Sequence, residues 1–91
     1  MNVKEAVKKA IEYIADIFES ENLENIGLEE VALDEKADTW EVTVGFSRPW
    51  DHEKGGLISN IQRLKRDYKI VCIDNKTEEV KSIKIREVSN A

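Results

Sequence analysis

The sequence predicts an α+β fold in which one N-terminal helix lies across a four-stranded antiparallel sheet, in the order α-β-β-β-β. Three observations predict it. Residues 39–47 place Trp40, Val42, Val44 and Phe46 at every second position, the period of a strand with one apolar face. Residues 3–18 instead space their apolar side chains by three and four, the period of an amphipathic helix. Two polar turn sequences, 34–38 and 75–78, each join apolar stretches closely enough to make them antiparallel neighbours.

The helix is expected over about 2–20. Asn2 followed by Glu5 has the form of a capping box, in which each side chain accepts the other residue's backbone N–H. Val3, Val7, Ala10, Ile11, Ile14, Ala15 and Phe18 form one stripe, widened by Tyr13 and Ile17, while Lys4, Lys8, Glu12, Asp16 and Glu19 take the other side. The run 20–22 loses the period and ends the helix.

The strands are expected at about 26–34, 39–48, 66–74 and 79–88. In the first, Val31 and Leu33 share a face. The second should be the best packed, and Pro49 ends its ladder because proline donates no backbone hydrogen bond. A flexible connection spans about 49–60. Residues 57–64 fit either a short helix through Leu57, Ile61 and Leu64 or a loop running into a strand, and both readings stay open. In the last strand Val80, Ile83, Ile85 and Val88 change parity twice, which predicts one or two bulges or an edge twist.

At 91 residues the chain is a single domain that removes only about 60–65% of its unfolded surface from water, enough for one core and too little for a deep pocket within it. Its hydrophobic content is 41% and its charged content 36%, so the surface is densely charged. The net charge of −5 is uneven: residues 1–47 hold 4 basic and 12 acidic groups, residues 48–91 hold 10 and 7. An acidic total argues against sequence-independent nucleic-acid binding, which relies on Lys and Arg displacing counterions. The one cysteine, Cys72, sits among aliphatics, which excludes an intramolecular disulfide and makes it a small hydrophobe. Neither a signal peptide nor a membrane-length apolar run is present, so a cytoplasmic protein is expected.

The second hairpin, 68–80, combines an aromatic residue, alternating aliphatics, Asp, a short polar turn and Val. In this it resembles PepSY-type and related cystatin-like small domains, and the preceding hairpin, Val31 to Val44, fits the same order. The resemblance implies the helix, hairpin, hairpin architecture. Domains of that kind are usually exported and associated with restraining peptidases or with membrane sensors, whereas this chain shows no export signal or membrane segment. It also has Glu78 where the pattern usually has Gly, so this turn must take another geometry or accept strain. The string 45–50 lies outside the pattern and is where specificity of its own is expected.

Arg48, Trp50, Asp51 and His52 gather a guanidinium, an indole, a carboxylate and the single imidazole at the mouth of that loop, with apolar Leu57 and Ile58 beyond. Loops on a rigid scaffold often carry binding residues, and Trp and Arg are enriched in interface hot spots. The structural alternative is that Trp50 caps the core while Arg48 pairs with an acid. The basic group Arg63, Lys65, Arg66 and Lys69 offers a weaker contact for an anionic partner, or a protected strand edge. No metal or cofactor is expected: Asp51, His52 and Glu53 are consecutive, and no second His or Cys cluster completes a zinc site. The reading that follows is a non-catalytic protein-interaction module, expected as a homodimer, acting through the 48–58 loop and the sheet face. The alternative is a small-ligand binder or enzyme with a helix–sheet cavity, using Tyr13, Tyr68 and His52 as its polar groups.

Overall fold

The computed structural model describes residues 1–49 and 66–86. Helix α1 (Val3–Ile17) is followed by a 3-10 turn, Glu19–Glu21, and by strands β1 (Glu24–Asp34), β2 (Thr39–Ser47), β3 (Asp67–Asp74) and β4 (Val80–Ile85). The strands form one antiparallel sheet in the order β1-β2-β3-β4, with α1 packed on β1 and β2 and reaching β3. This is the α+β arrangement expected from the sequence.

The capping box is formed as anticipated. Asn2 Oδ1 accepts the Glu5 N–H at 2.9 Å and Glu5 Oε1 accepts the Asn2 N–H at 2.8 Å. The buried line of α1 is Ala6, Ala10 and Ile14, with Val7, Ile11 and Phe18 half-buried beside it and Val3, Tyr13 and Ile17 exposed. Ala6 is not singled out by hydrophobic spacing, yet it lies at the centre of the contact. Two alanines four residues apart let the helix backbone approach the sheet, and the larger side chains flank that seam. Asn22, at φ 51°, then turns the chain into β1.

β2 supplies most of the core: Val42, Val44 and Phe46 are fully buried against α1, with Val71 and Ile73 of β3 beside them. Burial of each large apolar side chain contributes about 1.5–3 kcal/mol, which makes this cluster the main stabilising contribution. The Phe18 and Phe46 rings close it at one end, their centroids 6.0 Å apart. Cys72 is buried and free, but strand alternation turns it to the face away from α1, opposite Glu41 and Ser82.

β1 begins earlier than its hydrophobic pattern suggests and carries an extra residue in two places, between Glu24 and Gly27 and between Leu28 and Glu30. The second insertion reverses the parity, so Leu28, opposite Val44, and Val31, opposite Val42, face the same side. β4 carries one such irregularity, between Val80 and Ser82, which puts Val80 and Ile83 on the helix side. Val88 lies outside the described residues.

The two hairpin turns share one design. Asp34 Oδ1 accepts the N–H groups of Lys36 and Ala37, and Asp74 Oδ1 accepts those of Lys76 and Thr77. Four residues after each Asp comes a left-handed residue, Asp38 at φ 50° and Glu78 at φ 63°. Glu78 thus takes the positive φ that glycine would adopt at little cost. Asn75 ties the turns together: its N–H donates to the Asp38 carbonyl, its Nδ2–H to Asp38 Oδ1, and its Oδ1 accepts Trp40 Nε1–H at 2.8 Å.

Candidate functional site

Of the loop residues proposed for binding, Arg48 is described. Trp50, Asp51, His52, Leu57 and Ile58 lie outside the described residues, as do Arg63 and Lys65. Arg48 is a clamp. Its Nε donates to Glu21 Oε1 at 2.6 Å, its guanidinium pairs with Asp67, and its Cζ lies 5.0 Å from the Phe46 ring centroid. It therefore joins the turn after α1, the end of β2 and the start of β3. Such a desolvated, doubly paired guanidinium is held in one geometry.

The sheet face turned away from α1 is not a bare polar surface. Thr43 and Ser47 are 3% and 1% exposed within a single chain, while Glu41 stays open. Ser47 Oγ accepts from Asn25 Nδ2 and donates to the Glu24 carbonyl, both at 3.3 Å. Over Gly45 runs the ion pair of Glu29 and Arg66, at 3.2 Å. A Cβ on Gly45 would lie 2.6 Å from Glu29 Oε2 and 2.9 Å from Arg66 Nη2, so a side chain there would push the ends of this ion pair aside. A second pair, Glu30 with Arg86 at 3.2 Å, connects the residue after β4 to β1. Acids of β1 thus meet bases from the other side of the sheet.

Arg66 and Arg86 also line a cleft of about 400 Å³ with Asp67, Tyr68, Lys69 and Ile85. Both arginines there are engaged by glutamates, and Lys69 Nζ stands 6.0 Å from the Phe18 ring centroid. An anion would have to compete with carboxylates already in place.

On the other side, between α1 and the edge strand β1, lies an open apolar surface. Val3, Val7, Leu28 and Val31 wall an apolar trough of about 360 Å³, and Lys4 and Lys8 stand at its rim. Val3 and Leu28 remain 45% and 44% exposed, so the trough is open. The helix residues follow from the periodicity. Leu28 does not, because it reaches this side only through the extra residue at Glu29. That bulge leaves no hydrophobic signal, which is why spacing alone misses the trough.

Among the described residues no buried side-chain nitrogen or oxygen lacks a hydrogen bond, no group of three His, Cys, Asp or Glu side chains could hold a metal, and no helix is long and apolar enough to cross a membrane. Tyr13 is exposed, and Tyr68 lies opposite Gly45 on the face away from the helix. Neither points a hydroxyl into a cavity beneath α1. At the turn between β3 and β4 the Asp74 carboxyl is held below its ordinary 3.8, chiefly by the backbone N–H of Thr77, then by that of Lys76.

No protein-family model matches this chain, and neither a curated protein nor a solved structure matches it.

Proposed function

We propose that this protein is a small non-catalytic module that acts by binding another protein, and that the trough between α1 and β1 is its contact surface. The observation that carries this reading is the exposure of Val3 and Leu28 beside Val7 and Val31, in a fold whose buried side-chain polar groups are all hydrogen-bonded among the described residues. Contiguous exposed aliphatics bordered by charge are the usual mark of a macromolecular contact. The helix across four antiparallel strands also supports kinship with cystatin-like domains. The alternative, a ligand-binding or catalytic cavity, is less well supported, since the trough is open and apolar and holds no convergent polar groups.

A photo-cross-linking residue placed at Leu28 in the full chain tests this in the native cell. A discrete adduct is expected at Leu28 and at Val3, with none at the exposed turn positions Glu35 and Lys76. Adducts spread evenly over all four sites, or absent from Leu28 and Val3, would dispose of the reading. A second contact, the 48–58 loop, is favoured by the clamp that anchors its base through Arg48. A cross-linker at Trp50 in the same experiment reports on it separately.

A further inference from the structure

We infer that the α1–β1 trough receives an acidic amphipathic helix of a partner protein, whose apolar residues enter between Val3, Val7, Leu28 and Val31 while its flanking carboxylates meet Lys4 and Lys8. This rests on the interaction-module reading above and adds the chemistry of the partner.

Charge comes first. Residues 1–47 hold only 4 basic groups against 12 acidic ones, and three of the four, Lys4, Lys8 and Lys9, lie in the first half of α1. Lys4 and Lys8 are one turn apart on the rim of the trough, and neither forms an ion pair among the described residues. A lysine in the first turn of a helix opposes the helix dipole, so the placement of Lys4 costs the isolated fold a little stability. A carboxylate-bearing partner turns that cost into attraction.

The walls decide the kind of partner. A small apolar ligand needs most of its surface enclosed, and an open trough cannot enclose it. A folded partner brings its own second wall. An added strand would need a regular ladder along β1, yet the extra residues between Glu24 and Gly27 and between Leu28 and Glu30 interrupt that edge beside Leu28. A helix satisfies its own backbone hydrogen bonds and asks none of the trough. It presents apolar anchors at three- and four-residue steps, which suit a groove lined only by aliphatics. A symmetric second copy is less well matched, because the trough of a second protomer brings two more lysines and no carboxylate among its lining residues.

The test uses the full chain and two synthetic amphipathic helices of about five turns. Both have the same leucine face; one is flanked by glutamates and the other by lysines. Fluorescence anisotropy at low salt should show the glutamate peptide binding about ten-fold more tightly, with the difference shrinking as salt rises. Amide shifts should map to the first half of α1 and to residues 28–31. The double variant Lys4→Glu, Lys8→Glu should reverse the preference. Leu28→Asp, at a position already exposed and so tolerant of change, should weaken binding at least ten-fold while leaving the circular dichroism spectrum unchanged. Equal affinity for the two peptides would overturn the inference. So would displacement of the glutamate peptide by dodecanoate, which would assign the trough to a fatty carboxylate, or self-association that occludes Leu28. If Leu28 still cross-links in the cell after the double charge reversal, the interaction-module reading stands and only the acidic partner is lost. If Leu28 yields no adduct at all, the module reading is lost first.

Discussion

The two faces of β2 are covered by opposite means. Toward α1, Val42, Val44 and Phe46 are covered by aliphatic and aromatic neighbours, a non-directional contact that depends on volume. On the other face, the Glu29–Arg66 ion pair reaches across the sheet over Gly45, close to where a side chain on that residue would stand. The first face should therefore tolerate a change of shape and resist a loss of volume, and the second the reverse.

Phe46→Ala probes the first face and carries the largest expected effect. It empties the end of the core beneath Phe18 and Arg48 and should lower stability by about 3–5 kcal/mol, while Phe46→Leu should cost much less, both read from urea unfolding midpoints. Gly45→Val probes the second. The added side chain displaces the ends of Glu29 and Arg66 and weakens their ion pair, for an expected loss of about 1 kcal/mol. Because the nearest obstacle is the Glu29 side chain, Glu29→Ala should recover part of that loss in a double-mutant cycle. Full additivity of the two substitutions would show that the ion pair does not seal this face.

A smaller effect distinguishes glycine held for space from glycine wanted for φ. Gly45 needs room; Glu78 sits at φ 63° without being glycine. A left-handed non-glycine residue costs about 1–2 kcal/mol, and glycine's extra unfolded-state entropy returns about half of that, so Glu78→Gly should stabilise the fold by about 0.5–1 kcal/mol in thermal unfolding. An unchanged midpoint would mean that the Asp74 turn already absorbs the strain. The smallest effect appears only in acid. The Asp74 carboxylate accepts two backbone N–H groups and its folded pKa lies below 3.8, so its contribution is present above that value and lost as pH falls through the lower folded value. Asp74→Asn should flatten the decline of the urea midpoint below pH 3.8, and an unaltered decline would place the acid sensitivity elsewhere.

Much of this architecture is legible in the chain. The Asn2 and Glu5 box, the inward set Trp40, Val42, Val44 and Phe46, and both Asp-headed turns follow from local rules, because each depends on residues within a few positions of one another. The strained turn at Glu78 is also visible as a missing glycine. The Arg48 clamp is not. Arg48 pairs with Glu21 and Asp67, partners 27 and 19 positions away, and no spacing rule joins them.

Hydrophobic periodicity and turn chemistry set the order of elements, the inward face of β2 and the seam side of α1, since burial acts on patterns only a few residues long. Tertiary packing decided the rest. An unpatterned extra residue at Glu29 turned Leu28 toward Val3 and Val7, and the absence of a side chain at Gly45 leaves room for Glu29 of β1 to meet Arg66, just before β3, over the sheet. Register and close approach are properties of pairs distant in the chain, so they exist only once the strands are side by side.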